Sequence, residues 1–203
     1  MPPPTILTNL PSFRCSQACV FYRSNLGSYF THAWEQRKLG KLVNIVGGGT
    51  PDTTNPEYWN GDIDWYSPTE IGTKVYANGS VKKITALGLE KSSAKILPAN
   101  STILFTSRAG IGDMAILKKQ GATNQGFQSF VVGNGVNVYF LYSMGRQIKD
   151  FAIKNASGST FLEISKNQLA KMNVIIPNEK EQTAIGNFFK QLDAAIASHQ
   201  RKA

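Results

Sequence analysis

A chain of 203 residues has room for one domain, or for one domain with an appendage. It is 41% hydrophobic, enough to bury a core, and 17% charged, below the roughly 25% usual for a globular domain. Its 22 Lys and Arg against 13 Asp and Glu give a formal net charge of +9, which favours an anionic partner and nucleic acid first, although a merely basic surface has the same arithmetic.

The first 33 residues stand apart. Met1 to Ala33 carries two Arg and no Lys, Asp or Glu, opens with Pro2-Pro3-Pro4 and holds both cysteines. Cys15 and Cys19 are four apart, not at the CxxC spacing of redox or zinc motifs, and read as reduced thiols. No apolar core of roughly 7–15 residues follows a basic start, so the segment is not a secretory signal. No later run approaches the roughly 18 apolar residues of a membrane span. With no membrane segment and no disulfide framework, a cytoplasmic location is expected.

From Trp34 onward the texture is globular. Trp34 to Leu42 is a short amphipathic lead-in. Val43 to Val46 predicts a strand, ended by Gly47-Gly48-Gly49-Thr50-Pro51. Asp62 to Tyr66 alternates polar and apolar, which suits a half-buried strand, and Asn78-Gly79 is a turn signal. Ser101 to Thr106, Met114 to Leu117 and Ser129 to Val132 predict further strands between glycine-containing turns, so the body is β-rich. Leu141, Met144, Ile148 and Phe151, spaced 3, 4 and 3, predict one helix with Asn137 as cap and Gly158 beyond its end. A short strand at Asn173 to Ile176 leads to a terminal amphipathic helix over roughly Glu179 to Gln200, with Asn178 as N-cap and Glu179 and Glu181 in the first turn.

Several short patterns invite chemistry, and each has a plainer reading. Gly47-Gly48-Gly49-Thr50 lacks the Gly-Lys-Ser/Thr ending of a phosphate loop, and it reads as a structural turn or as a close backbone approach to a ligand. Asn55-Pro56-Glu57-Tyr58 has Glu where the Asn-Pro-Pro-Tyr of amino-methyltransferases has proline, and no glycine-rich strand–helix unit precedes it. Ser107-Arg108-Ala109-Gly110-Ile111-Gly112 sets an arginine in a turn flanked by glycines, either to clamp phosphate or guanine, or to pair with a carboxylate such as Asp113. The amide cluster Asn124 to Gln128 suits adenine, or loop stitching. Lys74, Lys82, Lys83, Lys91 and Lys95, interleaved with Tyr76, Ser92 and Ser93, suit a phosphate-contacting face or a strand edge protected by lysine. His32 and His199 adjoin no nucleophile motif, and no HExxH or carboxylate set suggests a metal-dependent enzyme. No catalytic residue, metal site or cofactor is expected.

Taken in order over roughly Trp34 to Lys202, these fragments resemble the specificity (S) subunit of type I restriction–modification systems. Trp34-Glu35-Gln36-Arg37-Lys38-Leu39-Gly40 resembles the start of one target-recognition domain. Gly48-Gly49-Thr50-Pro51, Trp59 to Trp65, Ser92 to Pro98, Thr106 to Gly112 and Asn124 to Phe127 resemble its internal signatures. Ser157-Gly158-Ser159-Thr160, Ile176-Pro177 and Glu181 to Ile185 resemble the passage into the helical spacer.

The resemblance implies an α/β fold, an irregular strand-rich globule followed by a C-terminal amphipathic, coiled-coil-forming helix. On that basis residues 1–33 are an atypical N-terminal segment, 34–177 the target-recognition domain, and 178–203 a truncated helical spacer or dimerisation region. Such subunits carry two recognition domains, so a single one implies a natural half-subunit, a truncated gene or a fragment. The implied role is reading double-stranded DNA for partner methyltransferase (modification) and restriction subunits, with no catalysis by this chain. The alternatives are a module that binds the modification subunit without specific DNA binding, or a methyltransferase, against which the missing cofactor motifs count. The candidate DNA-facing residues are Thr50, Lys74, Tyr76, Lys91, Ser92, Ser93, Lys95, Ser107, Arg108, Asn124, Gln125 and Gln128. Ile185, Phe188, Phe189, Leu192 and Ile196 form the stripe for a homodimer, unless the stripe packs on its own domain.

Overall fold

The computed structural model describes residues 34–158 and 162–200. Residues 1–33, with Cys15, Cys19 and His32, lie outside the described residues, as do Ser159 and Thr160 of the spacer-side signature. The first strand is β1 (Glu35–Lys38), followed by the one-turn helix α1 (Leu39–Leu42) and by β2 (Val43–Gly47). Next come β3 (Trp59–Tyr66), β4 (Tyr76–Ala77), β5 (Lys82–Ile84), α2 (Ala86–Glu90), β6 (Thr102–Phe105), β7 (Met114–Leu117), β8 (Gly121–Thr123) and β9 (Gln128–Val132). The last part is helical apart from one strand: α3 (Val138–Ser143), α4 (Gly145–Asn155), α5 (Lys166–Ala170), β10 (Asn173–Ile176) and α6 (Glu179–Gln200).

The main sheet runs β2-β9-β6-β7-β4, antiparallel except for the β4–β7 pair. Its central strands are apolar on both faces because both faces are covered. Ile103, Phe105, Met114, Ile116 and Phe130 point to one core, which Phe140, Leu141, Met144, Ile148 and Leu169 complete from the helices. Leu104, Ala115 and Leu117 point the other way, onto Tyr66, Ile71, Leu97 and Phe127. A three-stranded sheet, β5-β3-β8, packs Trp65, Ile84, Ala94 and Ala122 into a smaller cluster. The third sheet is the pair β1-β10, so the amphipathic lead-in is a strand plus one helical turn that buries Leu39 and Leu42.

The expected helix over Leu141 to Phe151 is two helices. Asn137 does cap the first, accepting from Phe140 N. The axis then breaks at Met144, whose ψ of 5° is not helical. Gly145 opens α4 at the break, where an added β-carbon would come within 3.2 Å of Met114 Sδ. The apolar spacing continues across the break because Leu141, Met144 and Ile148 all enter the same core.

The terminal helix α6 is anchored at its base by side chains. Asn178 Oδ1 accepts from Glu181 N at 3.0 Å, the predicted N-cap. The Gln182 amide accepts from Asn137 N at 3.0 Å and donates to Pro177 O at 2.9 Å. Trp34 Nε1 donates to Glu181 Oε1 at 2.9 Å. About three turns further on, Tyr139 donates its hydroxyl to Asp193 Oδ2 at 2.6 Å.

Candidate nucleic-acid interface

Four segments far apart in sequence meet where β2 leaves the main sheet. Gly47 pairs with Gln128 at the last rung of β2 and β9. Gly49 N then donates to Thr123 O at 2.8 Å, and Trp65 Nε1 donates to Gly49 O at 2.9 Å. A β-carbon at Gly48 would lie 2.0 Å from Asn124 O, and one at Gly49 would lie 2.3 Å from Ser93 Oγ and 2.4 Å from Ala94 N. The close approach expected of this glycine run is therefore to the chain's own backbone. Thr50 Oγ1 donates to Gln125 Oε1, tying the end of the run to the amide cluster.

The arginine turn joins the same junction. Ser107 N donates to Gly126 O at 2.8 Å, and Thr106 bridges Phe127. Thr106 Oγ1 donates to Gly110 O at 2.6 Å and accepts from Asp113 N at 2.9 Å, which folds residues 106–113 into a tight loop. Ala109, Gly110 and Gly112 take positive φ of 52°, 107° and 95°, so the turn needs small residues after the arginine. Arg108 is half-buried at the rim. Asp113 is bound instead by Lys149, at 3.1 Å, and the carboxylate beside Arg108 is Glu163, at 3.9 Å. The expected Arg108–Asp113 pairing is thus replaced by two separate pairs.

Around this scaffold of glycines and backbone hydrogen bonds stand the exposed Gln125 and Lys95, Lys91 with its ammonium 3.2 Å from Glu90, and Arg108 beside Glu163. Arginine and lysine donors suit phosphate oxygens, and amides suit base edges. Among the described residues, no group of three or more His, Cys, Asp or Glu stands where it could hold a metal ion. No helix among them is long and apolar enough to cross a membrane.

The family described as the type I restriction modification DNA specificity domain matches residues 32–203. The chain belongs to that family. The specificity subunit of the type I restriction enzyme MjaIX of Methanocaldococcus jannaschii is 32% identical over 83% of this chain and 40% of its own length. The specificity subunit of EcoR124I/EcoR124II of Escherichia coli is 31% identical over 88% of this chain and 45% of its own length. The crystal structure of the HsdS subunit from Thermoanaerobacter tengcongensis superposes with a TM-score of 0.63 at 16% identity, over 88% of this chain and 42% of that one. The chain therefore spans less than half the length of these relatives.

Within this specificity domain the candidate residues divide. Thr50, Ser92, Ser93, Asn124 and Gln125 converge at the junction, with Lys91 and Lys95 exposed on either side of the Ser92-Ser93 turn. Several of these build the scaffold: Asn124 Oδ1 accepts from Gly126 N at 2.8 Å, and Ser92 Oγ accepts from Ala94 N at 3.3 Å. Two of the set are corrected by burial. Ser107 is fully buried with no bonding partner for its hydroxyl, and Gln128 buries its side-chain oxygen in the same way, so neither presents that atom to a duplex.

Two more lie away from the junction. Tyr76 lies on β4, the opposite edge of the main sheet from β2, packed against Tyr139 with Lys118 Nζ 4.6 Å above its ring. Lys74 lies in the loop before β4. Burial, and then the nearby Asp193 charge, push the Tyr76 hydroxyl above its ordinary value. Lys82 and Lys83 are engaged internally, with the Trp59 ring and with Asp64.

The stripe on α6 also divides. Ile185 and Phe189 pack against the main core, while Phe188, Leu192 and Ile196 are exposed. A cleft of about 410 Å³ lies between α6 and the arginine turn, lined by Tyr139, Tyr142, Lys149, Phe189 and Asp193 among others. Its charged groups are already engaged, Lys149 by Asp113 and Asp193 by Tyr139. Sequence reasoning missed Glu163 and Lys149, whose side chains face the two ends of the arginine turn. No local pattern marks either, because each meets its partner only through the fold.

Proposed function

We propose that this chain reads one half of a divided double-stranded DNA sequence for a type I restriction–modification assembly, and that it directs partner modification and restriction subunits without catalysis of its own. The observation that carries the reading is the meeting of Gly47–Thr50, Ser93–Ala94, Asn124–Gly126 and the backbone of the arginine turn at one junction in a DNA specificity domain. The family description favours this over an interaction module that binds the modification subunit without reading DNA. The role needs no cofactor in this chain, and it fits a cytoplasmic location.

Self-association is part of the same proposal. One recognition domain reads one half-site, and two copies related by a two-fold axis read a palindromic pair. Phe188, Leu192 and Ile196, at i, i+4 and i+8 of α6, supply one exposed apolar face for the second copy. Selection from a random duplex library, with the purified chain and then with the modification subunit added, tests the reading. Enrichment of a short motif is the expected result, stronger with the partner present. A library that emerges with no enriched sequence in either case overturns the proposal.

A further inference from the structure

Glu163 sits in a position that the general reading of a basic DNA surface does not explain. A carboxylate on a phosphate-binding face repels the ligand, and here it stands next to the arginine best placed to receive that ligand. The arrangement is built by the backbone. Ser157 and Glu163 exchange two backbone hydrogen bonds at 3.0 Å, and Ile164 N donates to Ser107 O at 3.1 Å. Ile164 is fully buried, so the Glu163 backbone is pinned beside the arginine turn whatever the two side chains do. The side chains meet only loosely. Arg108 Nη1 and Glu163 Oε2 are 3.9 Å apart, too far for a hydrogen bond, with about 35% and 41% of the side chains exposed. A pair this open adds little to stability.

We propose that Glu163 is a positioning residue that holds Arg108 in reserve and yields it to a backbone phosphate of the duplex. This inference rests on the DNA-reading role above. The exchange replaces one oxyanion by another on the same guanidinium, so the charge pairing of Arg108 is kept while the loose carboxylate contact becomes a phosphate contact of fork geometry. A neutral guanine edge would not conserve that pairing. The vacated Glu163 then lies near the phosphate, and its repulsion sets a floor that weak, misregistered duplexes fail to clear. Glu163 thereby tunes how strongly the domain grips DNA of any sequence.

A double-mutant cycle on the full chain, read by titration of a random-sequence duplex at low salt, tests this. Glu163→Gln should tighten binding by roughly 2- to 5-fold, the size of one exposed ion pair. In the Arg108→Ala background the same change should tighten binding by a clearly smaller factor, that of the carboxylate–phosphate repulsion alone. Glu179→Gln, which alters net charge equally on the exposed start of α6, should do nothing in either background. Equal tightening with and without Arg108 overturns the proposal, as does weaker binding of Glu163→Gln at an unchanged melting temperature. A fall in melting temperature of Glu163→Gln also overturns it, because Glu163 would then brace the fold. Wild-type protein that binds no duplex overturns the DNA-reading role itself, which separates the two failures.

Discussion

At the glycine junction, Gly49 N bonds Thr123 O, Ser107 N bonds Gly126 O, and Gly48 and Gly49 leave no space for a β-carbon. Along α6 the holding groups are side chains: the Asn178 cap, the Gln182 amide and Trp34 on Glu181 at its base, and Tyr139 on Asp193 further along. The two regions divide the labour of the domain. Where backbone joins backbone, exposed side chains can change while the surface keeps its shape. Where side chains do the joining, their identity is fixed by the helix they anchor.

The sharpest way to break this contrast is at Gly48. Gly48→Ala drives a methyl group into the Asn124 and Thr123 carbonyl oxygens, in a segment held by Gly49 N on Thr123 O and by Asn124 N on Tyr66 O. Overpacking against immobile backbone should cost about 3 kcal/mol or more, read as a lower midpoint in urea unfolding. A loss below about 1 kcal/mol would show that the junction is soft. Next in size is Gln182→Ala. It strands the buried Pro177 carbonyl and the Asn137 amide, and should cost about 2–3 kcal/mol by the same measurement.

A smaller effect on stability is expected on the outer face of α6. Leu192→Asp with Ile196→Asp should change unfolding by within about 0.5 kcal/mol per site and abolish dimers in sedimentation equilibrium. A wild type that is monomeric at all concentrations removes the dimer, and a variant that unfolds places this face in the core. Phe189 is unsuited to that test because it packs against the main core.

How much of this was legible follows from where the specifying interactions lie. Met114 to Leu117 and Phe130 to Val132, in the predicted strand Ser129 to Val132, were readable because short apolar runs record burial on both faces. The strands β4 and β8 were not. They are two and three residues long and exist only through pairing with β7 and β3. Gly121 in particular is there to approach Asp64 O closely, which no local pattern records. The break at Met144 was hidden because the apolar period runs straight through it. At the site, the glycine run, the Ser92-Ser93 turn and the amide cluster could be quoted as separate fragments, but their meeting is a property of the fold. The lysine stretch is divided by the fold: Lys74 precedes β4, which lies on the far edge of the main sheet from β2, while Lys91 adjoins the Ser92-Ser93 turn.

The most direct test of the DNA-reading surface is the salt dependence of duplex binding for wild type, Lys91→Ala and Lys95→Ala. If the junction meets the backbone, the wild-type affinity falls linearly on a log–log plot. Each lysine removed from a phosphate contact should then lower the slope by about 0.9. A flat response for the wild type, or slopes that neither lysine changes, would contradict the placement of DNA on this surface.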